Sequence, residues 1–325
     1  MLLKGKRVFV AGATGMAGSA ILARLLLHEP TVLIRAATNQ TPPFLHDERI
    51  EYVRGDLASP EECRRMVTGC DLAVMAAART SGAGVLSSQP WQQVNSNLIL
   101  NAVFLQALAD AGIRRLVLVG SATLYQPFEG YIREDQLNLN QDPPDAYLGI
   151  GWVTRYIEKL CSFWHKQSDM DIVMVRASNI FGPYSRFNPQ TSNFIPALIR
   201  KAVDHLDPFE VWGSPDVTRD VIYADDFARA VVMLLEREDL HFDVFNIGSG
   251  LRTTVGDVVG WALTAAGHVP SRIIYNDNRP TTVPLRLLDC TKAGEVLGWE
   301  PLVSIEQGIT QTIKWWKEYK DRWTK

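Results

Sequence analysis

Two stretches of the 325-residue chain combine residue types and spacings that can do chemistry. The first, DAYLGIGW at 145–152, sets Tyr147 at the mouth of a helical pattern with Gly151 four positions on. A phenol at a helix mouth is a general acid in waiting, because it holds its proton at neutral pH. In a helix the side chain at i+4 lies over the one at i, so Gly151 leaves the tyrosine uncovered from that side. Glycine costs about 1 kcal/mol relative to alanine inside a helix and therefore needs a reason. It either leaves room beside the phenol for water or part of a ligand, or lets the helix pack closely on a neighbour, for which Gly149 is a companion.

The second stretch, VFVAGATGMAGSAIL, runs a strand straight into Gly12-x-x-Gly15-x-x-Gly18 and then a helix. Glycines there let the backbone turn sharply and approach a pyrophosphate, whose charge the helix N-terminus meets. A tight strand-to-helix turn also needs glycine for steric reasons alone. The following strand ends in LIRAAT, with no Asp or Glu for the ribose hydroxyls of a cofactor lacking a 2′-phosphate; Arg35 stands there instead. Arg35 is read either as the phosphate partner of NADP(H) or as an exposed strand-end arginine.

The elements that must position these residues follow from periodicity. Short β-branched runs (RVFVAG, TVLIRA, IEYVRGDL, DLAVMAAA, RLVLVGSA, DIVMVRAS) alternate with helical patterns near 16–28, 60–68, 91–111 and 147–167. That alternation predicts parallel βαβ units in a Rossmann-type, doubly wound α/β sheet. After about Gly182 the chain turns to loops rich in Pro, Asn and Asp, broken by helical pieces, which predicts a smaller mixed α/β lobe. We expect a dinucleotide-binding domain over 1–178, with a strand and helix added from about 215–250, and a discontinuous substrate lobe over 179–325. In the last segment Ile305, Ile309, Ile313, Trp316 and Trp323 follow a helical stripe, so its basic aromatic look is a packed helix with a solvated face.

Composition limits the partners. A hydrophobic content of 46% supports a sizeable core, and a formal charge of -3 gives no reason to expect nucleic acid. Cys63, Cys70, Cys161 and Cys290 are dispersed without CxxC spacing or clustered histidines, which argues against a disulfide framework and a metal site. The apolar stretch from Val8 to Leu27 is broken by three glycines and Arg24, so it fits neither a membrane span nor a signal peptide. The expectation is a reduced, cytoplasmic location.

Taken in order, GATGMAG, the GDL around Asp56, AAA at 76–78, GSATLY, Tyr147, ASNIFGP, SNFIPALIRKA, VWGS, RDVIYADD, NIGSG and LLDCTKAGEVLGW resemble the extended short-chain dehydrogenases/reductases that act on nucleotide sugars. Within that family the likeness is greatest to the GDP-L-fucose synthases, and it spans nearly the whole chain. The resemblance implies that Gly12, Thr14, Gly15, Met16, Gly18, Arg35, Asp56, Leu57, Ala76, Ala78, Asn95, Ala177, Asn179 and Ile180 line an NADP (or NAD) site. It implies Ser121, Thr123 and Tyr147 as the catalytic group. Asn179, Asn193, Val211 and Arg219, with Arg279 and Arg286 as further candidates, would bind the nucleotide diphosphate. Arg219 has a structural alternative, pairing with Asp220 or Asp225. A homodimer through two long helices is also what the family implies.

Departures from the family pattern narrow the reaction. A lysine normally follows the tyrosine by four residues, positions the nicotinamide ribose and lowers the tyrosine pKa; here it is Gly151. Reduction uses the protonated tyrosine and tolerates that loss better than oxidation does. Arg155 and Lys159 lie roughly 12 and 18 Å away along a helix and do not simply replace it. Relatives that epimerise C3 and C5 use a cysteine base and a histidine acid, where this chain has Thr123 and Asn193. Neither titrates near neutral pH. What remains is hydride transfer at the sugar C4: NADPH-dependent reduction of a 4-keto nucleotide sugar, with 4-epimerisation, or a non-catalytic binding protein lacking the lysine, as alternatives.

Overall fold

The computed structural model describes residues 2–80, 91–276 and 287–323. In chain order the first half contains β1 (Arg7–Ala11), α1 (Met16–His28), β2 (Leu33–Thr38), β3 (Ile50–Arg54), α2 (Pro60–Val67), β4 (Leu72–Met75), α3 (Trp91–Asp110), β5 (Arg115–Ser121), β6 (Tyr131–Ile132), α4 (Leu148–Gln167) and β7 (Asp171–Ala177). The second contains β8 (Asn179–Phe181), α5 (Phe194–Val203), β9 (Phe209–Trp212), β10 (Thr218–Arg219), β11 (Val221–Tyr223), α6 (Ala224–Glu236), β12 (Phe242–Ile247), β13 (Thr253–Thr254), α7 (Val255–Ala266), β14 (Ile273–Asn276), β15 (Leu287–Leu288), α8 (Thr291–Leu297) and α9 (Ile305–Tyr319).

Seven strands form one sheet in the order β12-β7-β5-β4-β1-β2-β3, every pair parallel. The strands read as continuous Val/Ile/Leu runs because both faces are covered. Val8, Val10, Ile34, Val74, Val117 and Val173 point into a core shared with α1 and α6. Phe9, Ala73, Met75, Leu116, Leu118 and Ile172 point into another shared with α2, α3 and α4. Strand order reverses between β1 and β4, and the carboxyl ends of the strands there open a crevice, the usual ligand position in such sheets.

A smaller lobe gathers α5, α7 and α9 with the short pair β9–β14 around its own apolar cluster. In α9, Ile305, Ile309, Ile313 and Trp316 are buried, and Ser304 and Gln307 close its N-terminus reciprocally. Trp323 lies past the end of that helix but still packs against the same cluster, its indole N–H donating to the Ser185 carbonyl at 2.8 Å. Two more short pairs, β8–β11 and β6–β15, join the lobes beside the ends of β5 and β7. No helix among the described residues is long and apolar enough to cross a membrane.

Candidate active site

The glycine turn is built for close approach. Gly12 has φ +76°, and a Cβ on it would stand 2.6 Å from the Ala76 carbonyl oxygen. A Cβ on Gly18 would stand 2.1 Å from the Gly12 carbonyl oxygen. Gly15 donates its N–H to Gly12 O at 2.9 Å and caps α1 with no side chain over the helix N-terminus. The first-turn N–H groups of α1 thus face the crevice with glycine backbone in front of them, which fits a dinucleotide pyrophosphate. Thr14 and Met16 belong to the same turn; Met16 Sδ receives the Ser185 hydroxyl at 3.1 Å.

The other expected cofactor residues divide. Asp56 sits just beyond β3, exposed, with Oδ1 accepting the Ala58 N–H at 2.9 Å. Leu57 is buried in the core, so only its backbone can face a ligand. Ala76 and Ala78 follow β4 directly opposite the glycine turn. Asn95 is an exposed residue of α3. Asn97, two residues further on, is buried and clamps the segment, accepting the Arg79 N–H at 2.8 Å and donating to the Arg79 carbonyl at 3.1 Å. Gln93, Asn97 and Asn101 are all buried, at the i, i+4 spacing of one helix face.

Arg35 is likewise displaced from its expected role. It sits in the middle of β2, three residues before the strand ends, with 14% of its side chain exposed. Its guanidinium bonds Glu51 at 2.8 Å and the carbonyls of Met66 and Thr68 at 3.2 and 2.6 Å, closing the C-terminal end of α2. Its partners are thus Glu51 and the end of α2, whereas the sequence suggested a 2′-phosphate or an exposed strand end.

At the carboxyl ends of β5 and β7 a cleft of about 60 Å³ is lined by Ser121, Ala122, Thr123, Tyr147, Ala177, Ser178, Asn179, Asp220 and Leu288. The predicted catalytic trio is thereby brought into one pocket. Ser121 ends β5, and its hydroxyl accepts the Thr123 N–H at 3.2 Å, fixing the short turn Ala122–Leu124. Thr123 Oγ1 is buried with no hydrogen-bond partner among the described residues. Tyr147 is the residue before α4, half-buried, its backbone N–H held by the Pro144 carbonyl at 2.7 Å. The Arg219 guanidinium interacts electrostatically with Tyr147, and burial lowers its pKa from the ordinary arginine value. Asp225 is 3.9 Å from Arg24, and Asp220 is engaged by N–H donors, so neither plays the pairing role considered for Arg219.

Gly151 does not leave a void. It is buried, and a Cβ there would meet Pro143 Cγ and Cβ at 2.6 and 2.7 Å and the Thr123 carbonyl oxygen at 2.8 Å. Of the two readings of that glycine, close packing is the one the structure supports. A Cβ on Gly149 would similarly meet Val94 Cγ2 at 2.7 Å across the α3–α4 contact. Arg155, one turn past Gly151, braces the same region: it donates to the Leu124 carbonyl at 2.7 Å and the Gln141 carbonyl at 2.6 Å.

Of the expected substrate residues, Asn179 lines the cleft and donates its side-chain amide to the Asp220 carbonyl at 3.0 Å. Ala177 lines it too, while Ile180 packs toward the sheet core. Asn193 is an exposed N-cap of α5. Val211 is 1% exposed inside the smaller lobe, so its side chain is unavailable to a nucleotide. Arg279 and Arg286 lie outside the described residues. Ser178, Asp220 and Leu288 were not anticipated as pocket residues. The four cysteines are unpaired, and no cluster of three metal-ligating side chains occurs among the described residues.

Comparison with known proteins agrees with this geometry. Residues 8–248 match the model of the NAD dependent epimerase/dehydratase family. The chain is 28% identical over 319 residues to the GDP-L-fucose synthase of Sinorhizobium fredii, covering 96% of each chain. It is 26% identical to the dTDP-4-dehydro-6-deoxy-D-allose reductase of Streptomyces bikiniensis, covering 97% of each. The solved UDP-glucose 4-epimerase of Thermotoga maritima, with UDP-glucose, shares the fold at a TM-score of 0.84 and 21% identity, over 97% of this chain and 99% of that one.

Proposed function

The chain belongs to the NAD dependent epimerase/dehydratase family, and from that premise we propose that it reduces the 4-keto group of a nucleotide-diphosphate sugar without epimerising C3 or C5. It is an NAD(P)-dependent enzyme of the short-chain dehydrogenase/reductase type, acting on nucleotide sugars. The observation that carries the finer reading is the cleft itself. It joins three hydroxyl groups, Ser121, Thr123 and Tyr147, while the positions where epimerising relatives keep a cysteine and a histidine hold Thr123 and the exposed Asn193.

The residues divide the work as follows. The glycine turn and the N-terminus of α1 would hold the pyrophosphate of the dinucleotide, and Asn97 fixes the segment after β4 at Arg79. When bound, the cofactor supplies the hydride. Ser121 polarises the ketone by donating a hydrogen bond, and Tyr147 gives its proton to that oxygen as the carbon is reduced. The phenolate left behind has the Arg219 guanidinium as a nearby cation and recovers its proton from solvent.

Turnover of a 4-keto nucleotide sugar in deuterated water tests this reading: C3 and C5 should stay protiated, and Tyr147→Phe should slow reduction by a factor on the order of 10² to 10⁴. Deuterium at either carbon, or full activity in the variant, would overturn it. One observation favours 4-epimerisation as a second reading: with Arg35 committed to Glu51, a preference for NADP loses its expected residue. Interconversion of UDP-glucose and UDP-galactose without net change in nicotinamide absorbance would select it.

We also propose a homodimer. Leu148, Trp152, Tyr156 and Phe163 form an exposed stripe along α4, beside exposed Trp91 and Ile99 on α3. A cytoplasmic setting fits the unpaired cysteines, of which Cys63 and Cys70 are pushed by burial to about 12 and about 11.

A further inference from the structure

Asp220 is the buried carboxylate of the cleft, 1% exposed, in the junction between β10 and β11. Its Oδ1 accepts the Ser249 N–H at 2.9 Å and the Ser249 hydroxyl at 3.3 Å. Its Oδ2 accepts the Leu288 N–H at 3.0 Å. Its main-chain carbonyl accepts both the N–H and the side-chain amide of Asn179, at 3.2 and 3.0 Å. Gly248 makes room for it: a Cβ there would stand 2.8 Å from each carboxylate oxygen. The side chain therefore gathers two cleft elements, the turn after β12 and β15, while the main chain of the same residue holds a third, β8, at Asn179.

We infer that Asp220 is a positioning residue: its ionised carboxylate seats the 248–250 turn and β15 against Ser121, Thr123 and Tyr147 and so sets the sugar-facing wall of the cleft. The wall depends on acceptors. Leu288 lines the cleft directly, and Ser249 passes the bond on by accepting the Leu251 N–H at 3.2 Å. A protonated carboxyl has one oxygen that donates, so it cannot hold the Ser249 and Leu288 N–H groups together as the carboxylate does.

Stability alone does not account for the charge. Burial raises the Asp220 pKa from 3.8 to about 6, outweighing the N–H bonds that pull it down. The folded state thus binds the proton more readily than the unfolded chain. This group's contribution to stability is greatest below the unfolded value and is lost as pH rises through about 6. At neutral pH the ionised form is kept against the fold's preference, which points to geometry as its use. The titratable groups around it come from each packed element: Arg219 on its own strand, Tyr147 across the cleft, and Asp289 and Cys290 beyond β15. Cys290 is coupled to it, its thiol pushed well up by burial and by the Asp220 charge. Asp289 is held below the usual carboxylate range by Thr291 and stays ionised throughout.

The inference rests on reading the cleft as the sugar site, and the experiment separates the two. Amide hydrogen exchange at Ser249 and Leu288, corrected for intrinsic rates, is followed from about pH 8 to about pH 5. In the wild type at least one of the two amides should lose protection by about tenfold or more as pH falls through about 6, the loss of one charge-assisted bond. Asp220→Asn, with a single acceptor oxygen, should show at least one of the two at the unprotected level at every pH. Dissociation constants for UDP-glucose and GDP-mannose by calorimetry should rise about tenfold under the same conditions, with NADPH affinity within about twofold. Protection independent of pH in the wild type would overturn the inference. So would an Asp220→Asn enzyme with unchanged sugar affinity and a lowered kcat, since that marks proton transfer rather than positioning. If neither sugar binds the wild type, the sugar-site reading fails while the two amides still decide the role of Asp220. If Asp220→Asn does not fold, the wild-type exchange profile and Asp220→Glu, which should retain the pH dependence, decide it.

Discussion

Gly151→Ala tests how the catalytic helix is seated. The added methyl would lie 2.6 and 2.7 Å from two ring carbons of Pro143 and 2.8 Å from the Thr123 carbonyl oxygen. None of these is the free end of a flexible chain: one partner is a buried ring and the other is backbone. Overpacking of that kind costs about 1–3 kcal/mol. Replacing glycine by alanine in a helix returns about 1 kcal/mol. The net expectation is a loss of up to about 2 kcal/mol, read as a lowered urea midpoint at unchanged slope. Gly149→Ala is the control within the same turn, because its methyl meets only Val94 Cγ2, which can swing away. It should be neutral to within about 1 kcal/mol. Because Thr123 must move to admit the methyl, carbonyl reduction should fall in Gly151→Ala and not in Gly149→Ala. Gly151→Lys should fail to fold or lose activity, instead of restoring the family's lysine. A Gly151→Ala protein more stable than the wild type and with full activity would refute the packing argument and return the glycine to the role of a gap.

Arg35→Ala should leave the ratio of NADPH to NADH affinity unchanged while costing about 1–3 kcal/mol, because the Met66 and Thr68 carbonyls lose their donor; isothermal titration and denaturation check the two halves. Asn97→Ala should weaken binding of either dinucleotide and destabilise the fold by about 1–3 kcal/mol, whereas Asn95→Ala should do neither. Tyr156→Glu combined with Phe163→Glu, 54% and 51% exposed in the wild type, should convert a dimer to a monomer in sedimentation with the fold intact. A pair of variants that still sediments as a dimer would place the interface elsewhere.

Much of the fold was legible because local burial writes itself into local pattern. Strands covered on both faces read as Val/Ile runs, and α1, expected near 16–28, spans Met16–His28. The stripe of Ile305, Ile309 and Ile313 likewise announced a packed helix. The glycine turn was legible for a similar reason, since a backbone with φ +76° and a carbonyl 2.6 Å from any Cβ admits only glycine. Ser121, Thr123 and Tyr147 were singled out by motif, and the structure brings them into one cleft.

What the sequence by itself determined was the type of each element and which residues are capable of chemistry. Which partner each residue meets was decided only by the tertiary structure. Arg35 read as a phosphate ligand until β3 and the end of α2 came within reach of its guanidinium from 16 and about 30 residues away. Val211 sat in a binding motif, yet its side chain is spent on the core of the smaller lobe. Gly151 stayed open between a gap and a packing site because Pro143 and the Thr123 carbonyl reach it from outside the helix. Asp220 gave no local sign of its place, since its partners stand 29 and 68 residues further along. Periodicity records whether a side chain is buried, because burial repeats with the helix or strand; it carries no record of what lies across the contact, which depends on chain segments that meet only when the sheet, its helices and the second lobe have closed on one another.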